Sequence, residues 1–173
     1  SENLCSRIDE NTDIKEAAFT VLGSIALHGL RLSETTLGSK VVVIGLGVIG
    51  QLVCSLAEAQ GSEVTGIDPD PERSKNRDNF FTSANDIELR DVDTVIITAA
   101  SSSNEPIELA TKIARNKAKI VVIGDIPLNI SRNDFYYKEL ELVVSKSYGP
   151  GRYDKQYEAL GNDYPIEYVR WTE

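Results

Sequence analysis

Lys40-Val-Val-Val-Ile-Gly-Leu-Gly-Val-Ile-Gly50 joins an apolar, β-branched run to glycines in the order G-x-G-x-x-G. A buried strand that leads directly into this pattern is typical of a strand-loop-helix unit that binds a dinucleotide. In such a unit Gly45 turns the chain, Gly47 lets the backbone approach a pyrophosphate, and Gly50 lets the next helix pack closely on the strand. The stretch therefore predicts a nucleotide cofactor.

A second strand with an acidic end strengthens this prediction. Val64-Thr-Gly-Ile-Asp68 places a carboxylate eighteen positions after Gly50, close to the spacing of about 20 found for ribose-binding acids. Asp68 can accept both ribose hydroxyls and would repel a 2′-phosphate, so NAD is favoured over NADP. Val48 and Ile49 open the intervening helix, so their main-chain amides and the positive end of the helix dipole face the phosphates.

Other interpretations of these residues stay open at this point. The glycine loop could be a turn that binds no ligand, or a site for another nucleoside such as S-adenosylmethionine. Asp68 could instead begin a turn before Pro69. Arg73, five residues after Asp68, either covers the adenosine side of a cofactor or is a solvated charge on a short helix.

Strands of continuous Val and Ile alternate with helical patterns along most of the chain. They predict an α/β Rossmann fold, a doubly wound and mostly parallel sheet with helices on both faces and ligands at the carboxyl ends of the strands. The expected strands cover residues 40–44, 63–67, 93–98, 119–123 and 140–145, with a small one at 80–81. The expected helices cover residues 13–30, 48–59 and 104–115, with a short one near Glu72.

Composition and charge limit the partners. A chain of 173 residues that is 41% hydrophobic predicts one globular domain, and its net charge of −9 disfavours nucleic acid or an anionic membrane as partner. We find neither an apolar run near the roughly 20 residues of a membrane span nor a signal-peptide core, and we expect a cytoplasmic protein. Cys5, Cys54 and His28 have no recognisable zinc spacing, and Cys54 is expected to be a reduced thiol in the core.

A polar strip follows the first helix. Thr20, Ser24 and His28 lie at i, i+4 and i+8 on a helix that is otherwise apolar. They are either candidates for a proton relay that faces a ligand, or hydroxyls bonded to the preceding turn beside a satisfied or solvated histidine. We therefore name no catalytic residue.

The later strands end in loops of small residues, and the chain ends in a tyrosine-rich tail. Residues 98–103, which include Ala99, and residues 123–125 are expected where the second half of a dinucleotide lies. All seven tyrosines occur from Tyr136 onward; their rings suit a sugar or a protein interface, although we favour a tail anchored to its own domain. The chain thus divides into a leading helix, a Rossmann domain, and a tail that packs on this domain or leads to an absent one, at residues 1–38, 39–147 and 148–173.

Two parts of the sequence resemble known oxidoreductases. The chain resembles the cofactor domain of medium-chain, zinc-type alcohol dehydrogenases over residues 17–30, 38–50 and 66–68. It also resembles the segment that joins such a region to a glucose-fructose oxidoreductase-like domain in bacterial two-domain proteins, over residues 135–142, 145–154, 163–165 and 168–173. The resemblance implies hydride transfer between nicotinamide and an alcohol or carbonyl carbon, with sugar derivatives among the candidate substrates.

The resemblance also implies roles for individual residues. The pyrophosphate would be held by Gly45, Gly47, Val48, Ile49 and Gly50. The adenosine ribose would contact Asp68 and Arg73, and the nicotinamide side would be lined by Ser24, Ile123, Gly124 and Ser145. Thr20 stands where zinc-dependent members place a cysteine ligand, so we expect no catalytic zinc.

The resemblance further implies that residues outside this sequence complete the protein's chemistry. The barrel-like domain that supplies much of the substrate pocket in these dehydrogenases is absent, so the chain alone is expected to lack a complete catalytic site. A sheet edge or the tail could support a homodimer. The alternative function is a non-catalytic nucleotide-binding or assembly module.

Overall fold

The computed structural model describes residues 2–75 and 77–164, which contain one six-stranded sheet with every neighbouring pair parallel. Its strands are β1 (Lys40–Ile44), β2 (Glu63–Ile67), β3 (Phe80–Phe81), β4 (Val92–Ile97), β5 (Ala114–Val122) and β6 (Glu141–Val144). Their order across the sheet is β3-β2-β1-β4-β5-β6. This is the doubly wound Rossmann order, so the predicted α/β fold is confirmed.

Helices connect the strands. They are α1 (Ile14–Ala17), α2 (Thr20–Ser33), α3 (Val48–Ala59), α4 (Pro71–Ser74), α5 (Glu105–Ile113), α6 (Arg132–Lys138) and α7 (Lys155–Glu158). Short 3-10 turns cover Glu2–Leu4 and Ala84–Asp86. The predicted bounds of β1, β2, β3 and α3 are confirmed residue for residue. Gly61, just beyond α3, has a φ of +88°, the left-handed conformation with which glycine ends helices.

Alternate residues of the central strand build two separate cores. Val41 and Val43 pack with Leu30, Val53 and Cys54 of the helices α2 and α3. The intervening residues of β1 pack on the opposite face, against α5. Each fully buried valine contributes roughly 1.5–3 kcal/mol, so burial on both faces accounts for the uninterrupted apolar run. Cys54 is fully buried, as expected, and burial raises the pKa of its thiol to about 12.

The leading helix differs from the prediction. It consists of two helices separated at Ala18 and Phe19, and the second ends at Ser33, later than expected. Two apolar residues near its start are exposed, since Ile14 is 76% exposed and Val21 is 65% exposed. Because little apolar burial supports these first turns, they do not form one continuous helix.

Helix α6 was not predicted, and it changes the end of α5. Strand β5 starts earlier than expected because α5 already ends at Ile113. At this end the Lys138 ammonium of α6 donates hydrogen bonds to the carbonyls of Thr111, Lys112 and Ala114, at 2.7, 3.0 and 2.8 Å. A cation here satisfies carbonyls that have no partner within the helix. The contact joins residues 24 to 27 positions apart, so no local pattern reveals it.

The tail is described as far as Tyr164, and the rest of the predicted tail, residues 165–173, lies outside the described residues. Its helix α7 was not predicted, and the Asn3 side chain donates to the Ala159 carbonyl at 3.0 Å. The division of the chain at residues 38 and 147 stays a prediction. In the ranges that the structure describes, no helix is long and apolar enough to cross a bilayer.

Candidate functional site

A cleft of about 760 Å³ opens at the carboxyl ends of β1, β2 and β4. We call it the sheet-edge cleft. Its polar and small lining residues include Gly45, Gly47, Asp68, Arg73, Ser83, Asn85, Thr98, Ala99, Ser101 and Glu105. Parallel α/β sheets bind their ligands at this edge, and the volume suits a small molecule.

The three glycines of the first loop have different environments. Gly45 has a φ of +95°, and a Cβ atom there would lie 2.6 Å from the Ala99 amide nitrogen. A Cβ atom on Gly50 would overlap the Gly45 carbonyl oxygen, so Gly50 allows α3 to pack against the loop. At Gly47 the Cβ position has no atom within 4 Å. The loop therefore turns at its first glycine, borders open space at its second, and packs tightly at its third.

Helix α3 begins without a capping side chain. Gly47 is its N-cap residue and makes no side-chain hydrogen bond to the first turn, where the amides of a helix lack intrahelical acceptors. An anion at this position would accept from these amides and be stabilised by the helix dipole without a cationic side chain. The side chains of Val48 and Ile49 do not line the cleft, so their predicted contact is a main-chain contact.

Asp68 is buried beneath the glycine loop, with a side chain that is 4% exposed. Its Oδ2 accepts from the Leu46 amide at 2.6 Å, and its Oδ1 accepts from the Asp70 amide at 2.9 Å. The bond from the Asp70 amide is the local turn contact that was considered as an alternative. The bond from the Leu46 amide instead connects Asp68 to the glycine loop. A carboxylate offers about four acceptor positions, and Leu46, Asp70 and Arg73 use three of them. One position remains for a ligand hydroxyl.

Arg73 lies over Asp68 at the rim of the cleft. Its Nη1 is 3.2 Å from Asp68 Oδ2, its Nε is 3.4 Å from Asp70 Oδ2, and its side chain is 51% exposed. Ion pairs this exposed contribute little to stability. The guanidinium can therefore move toward a ligand at small cost, and its predicted place beside the adenosine is geometrically accessible.

The polar strip of α2 does not act as one unit. Thr20 Oγ1 donates to the Ala17 carbonyl at 2.8 Å, and Ser24 Oγ donates to the Val21 carbonyl at 2.7 Å. These hydroxyls have the internally bonded arrangement that was the alternative to a relay. His28 differs from both interpretations, because it is 7% exposed and its Nδ1 has no hydrogen-bond partner among the described residues. A place for Ser24 near nicotinamide stays a prediction.

The residues predicted for the nicotinamide side lie beside the cleft. Ala99 lines it, whereas Ile123, Gly124 and Ser145 do not. A Cβ atom on Gly124 would overlap the Ala99 carbonyl oxygen, and Ile123 packs against Gly29 of α2. Ser145 is buried, and its Oγ finds no hydrogen-bond partner in the described ranges. These residues follow β5 and β6 at the same edge of the sheet as the cleft. Their contact with a nicotinamide stays a prediction.

Two side chains make hydrogen bonds around the glycine loop that were not predicted, although Thr98 itself belongs to the predicted loop 98–103. Gln51 Nε2 donates to the Leu46 carbonyl of the loop at 3.4 Å. Thr98 Oγ1 donates to the Gly45 carbonyl, and Gln51 Nε2 donates to the Arg73 carbonyl at 3.0 Å. A hydroxyl at the end of β4 was the available signal for Thr98. The Gln51 contact joins positions 22 residues apart, and nothing in the local sequence indicates it.

His28 makes the stability of the fold depend on pH. Burial disfavours the imidazolium, and the positive charge of Arg31 opposes it further, so the pKa of His28 is lowered. The unfolded chain therefore binds this proton more readily, and stability is lost as the pH falls below the ordinary pKa of 6.5. We expect the free energy of unfolding, measured by denaturant titration, to decrease by at most about 1.4 kcal/mol per pH unit.

The variant His28→Gln should remove this slope between neutral pH and about pH 5, because carboxyl groups titrate near pH 4. His28 is the only histidine of the chain, so no second imidazole obscures the result. Equal slopes for the original protein and the variant would contradict the assignment.

The described residues do not fit a metal centre. Within residues 2–75 and 77–164, no three side chains of His, Cys, Asp or Glu come together as a group that could hold a metal ion. Thr20, which was predicted to stand where zinc-dependent dehydrogenases place a cysteine ligand, donates its hydroxyl hydrogen to the Ala17 carbonyl.

A family model described as "Putative heavy-metal chelation", DUF364, matches residues 30–125, more than half of the chain. The chain belongs to the DUF364 family. The region shared with DUF364 runs from the end of α2 through β5, so it contains the glycine loop and Asp68. The family description names metal chelation, for which the described part of this DUF364 member offers no ligand set.

Relatives of this DUF364 chain are dehydrogenases. It is 26% identical over 171 residues to 2-dehydro-3-deoxy-L-galactonate 5-dehydrogenase of Pseudoalteromonas atlantica. This alignment covers 90% of this chain and 50% of that protein. Its fold is similar to L-idonate 5-dehydrogenase of Escherichia coli, with a TM-score of 0.75 and 19% identity over 84% of this chain and 46% of that one. It is also similar to a "putative zinc-binding dehydrogenase" of Sinorhizobium meliloti bound to NADP, with a TM-score of 0.73 and 23% identity over 92% and 53% of the two chains.

These comparisons confirm the predicted similarity to medium-chain, zinc-type dehydrogenases, while the similarity to two-domain proteins with a glucose-fructose oxidoreductase-like part stays a prediction. At these identities the solved structures establish a shared fold. The chain spans about half the length of the relatives it matches.

Proposed function

We propose that this DUF364 chain is the dinucleotide-binding part of an oxidoreductase that uses NAD in preference to NADP. The observation that carries the proposal is the joint geometry of the glycine loop and Asp68. Gly47 borders open space at the uncapped start of α3, and Asp68 accepts from the Leu46 amide of the same loop at 2.6 Å. A helix start for a pyrophosphate and an adjacent carboxylate for a ribose form the two parts of an adenosine diphosphate site.

In this proposal the chain's own residues bind and orient. The first-turn amides of α3 hold the pyrophosphate, Asp68 accepts a ribose hydroxyl, and Arg73 covers the adenosine. The nicotinamide half of the cofactor is oriented by Ala99 and by the residues that follow β5 and β6, which are Ile123, Gly124 and Ser145. Ser24 of α2 lies near this half. When bound, the nicotinamide supplies hydride exchange with an alcohol or carbonyl carbon.

The preference for NAD rests on charge. A 2′-phosphate would lie beside the Asp68 carboxylate, whose nearest cation is the half-exposed Arg73. The Sinorhizobium meliloti protein binds NADP, so the two cofactors need direct comparison on this chain.

The substrate class follows from the relatives. Two of them act by name on sugar acids, 2-dehydro-3-deoxy-L-galactonate and L-idonate. We infer a sugar-derived alcohol or ketone as substrate and catalytic residues supplied by a substrate domain outside this sequence.

Titration calorimetry of the chain with NAD, NADP and S-adenosylmethionine tests the binding function. NAD should bind, and Gly47→Ala should weaken it by about tenfold or more, since lost charge-assisted hydrogen bonds cost about 1.5–3 kcal/mol. The added methyl group meets open space rather than protein, so the melting temperature should stay near that of the original chain.

Gly23→Ala is the matched control, because its Cβ position in α2 also has no atom within 4 Å. This variant should retain NAD binding. Absence of NAD binding to the original chain would favour a non-catalytic module, and selective binding of S-adenosylmethionine would replace the proposal.

A further inference from the structure

A second cavity, of about 580 Å³, lies between α2 and the segment that follows β6. We call it the tail pocket. Its lining includes His28, Lys146, Gly149, Arg152, Tyr153 and Lys155. Ser145, the residue before Lys146, follows the carboxyl end of β6, so the tail pocket opens at the same edge of the sheet as the sheet-edge cleft, on the side predicted for nicotinamide.

The tail pocket is positively charged although the whole chain carries a net charge of −9. Lys146 and Lys155 line it without an ion pair to any described carboxylate. Its third cation, Arg152, donates to Glu158 at 2.9 Å. The acidic lining residue Asp154 is already engaged, since it accepts from the Gln156 amide at 2.8 Å and from the Tyr164 hydroxyl at 2.6 Å. Lys146 also interacts electrostatically with the Asp154 carboxylate. An anion that enters the pocket therefore meets the ammonium groups of Lys146 and Lys155, neither of which forms an ion pair with a described carboxylate.

His28 provides an independent sign of a ligand. It lines the tail pocket while 7% exposed, and its buried Nδ1 has no hydrogen-bond partner in the described ranges. Buried polar atoms without partners are rare in folded proteins. Gly149, with a φ of +102°, packs on the imidazole so closely that a Cβ atom would lie 2.5 Å from Nδ1.

An aromatic ring completes the pocket. Tyr153 is 69% exposed, and its ring lies 5.3 Å from the Lys146 ammonium and 4.1 Å from the Arg152 guanidinium carbon. The two cations thus flank an apolar ring face with a polar tip. This combination suits a ligand with a charged end and a less polar, hydroxylated body.

We propose that the tail pocket binds the carboxylate or phosphate group of an anionic sugar derivative, with Lys146 and Lys155 as its charge partners, and thereby selects the substrate of the oxidoreductase. The role in substrate selection rests on the proposed oxidoreductase function. The lowered pKa of His28 means that the imidazole is neutral near pH 7, so it acts as a hydrogen-bonding group beside the cations.

Amide and imidazole NMR spectra of the full chain test this inference with gluconate, neutral sorbitol and sorbitol 6-phosphate. Gluconate should shift the amide signals of Gly149 and Gly151 and the His28 ring signals. Sorbitol, which has the same carbon chain without the carboxylate, should not. The phosphate ester distinguishes the two anionic groups, because the tighter binder of the pair identifies the preferred one.

The double variant Lys146→Gln/Lys155→Gln should weaken gluconate binding by about a hundredfold or more, because the loss of each charged hydrogen-bond donor weakens binding by about tenfold or more. Lys15→Gln/Lys112→Gln is the matched control, since it removes the same charge from exposed positions outside the tail pocket. The inference is overturned if both double variants weaken binding equally, if sorbitol and gluconate cause equal shifts, or if neither anion shifts these signals.

A titration of the same sample with NAD separates this result from the proposed function. NAD should shift the amides of Gly45 and Gly47, at a distance from the tail pocket signals. Gluconate binding without NAD binding would refute the oxidoreductase proposal and leave an anion site, whereas NAD binding without gluconate binding would refute the tail pocket alone.

Discussion

Replacing Gly50 with alanine should lower the melting temperature by roughly 4–12 °C and abolish NAD binding. The new Cβ atom would overlap the Gly45 carbonyl oxygen and approach Thr98 Oγ1 to 2.8 Å. Overpacking typically costs about 1–3 kcal/mol and occasionally more, and we expect a cost of about 3 kcal/mol or more here because the overlap is with backbone that cannot rotate away. Alanine recovers only about 1 kcal/mol through its better helix propensity, so the steric cost dominates.

Differential scanning calorimetry and NAD titration check this result, with Gly47→Ala as the matched variant in the same loop. Gly47→Ala should bind NAD about tenfold or more weakly while it keeps its melting temperature, whereas Gly50→Ala should lose both NAD binding and thermal stability. Retention of stability by Gly50→Ala would mean that α3 does not pack against the loop as described.

Replacing Asp68 with alanine should weaken NAD binding by about tenfold to a hundredfold and NADP binding by much less. The ribose loses its acceptor, while NADP is simultaneously relieved of repulsion between its 2′-phosphate and the carboxylate. The fold should also lose about 1–3 kcal/mol, because the buried Leu46 amide loses its hydrogen-bond partner. Calorimetric titration with both cofactors measures the ratio, and denaturant titration measures the stability.

Asp70→Ala is the control for Asp68→Ala. It removes a neighbouring carboxylate that also pairs with Arg73, but one whose side chain is 45% exposed and caps α4 rather than facing the loop. Its ratio of NAD to NADP affinity should change little. An equal loss of NAD and NADP affinity in Asp68→Ala would mean that Asp68 has a structural role only and does not recognise the ribose.

The sequence was most informative where local chemistry and position coincide. The run from Lys40 to Gly50 predicted β1, the loop and the start of α3 to the residue, because burial on two faces, a left-handed turn and a close helix contact each restrict the residue types allowed. The same reasoning placed Asp68 at the tip of the neighbouring strand. Its bond to Leu46, across 22 residues, was not predicted, since main-chain partners leave no trace in side-chain patterns.

Contacts between distant segments account for what could not be predicted. The break between α1 and α2 depends on the absence of a packing partner for Ile14, and the early end of α5 depends on Lys138. The tail pocket likewise arises because Gly149 packs on His28, more than a hundred residues earlier in the chain. Sequence periodicity shows which face of a single helix or strand is apolar. The features described here are contacts between two elements, which periodicity does not show.

Strand β1 presents valine to both faces of the sheet, which affects how firmly its alignment with the neighbouring strands is specified. A shift by one residue would exchange the faces of Val41, Val42 and Val43 without changing the residue type on either face, so these three valines alone specify the alignment weakly. Polar bonds at the two ends of the strand specify it instead: the Lys40 amide donates to Asp93 Oδ2 at 2.8 Å, and the Leu46 amide donates to Asp68 Oδ2 at 2.6 Å. Asp68, which is proposed to bind a ribose hydroxyl, therefore also helps to fix the alignment of β1 in the sheet. Substitutions at position 68 are restricted by folding as well as by ligand recognition.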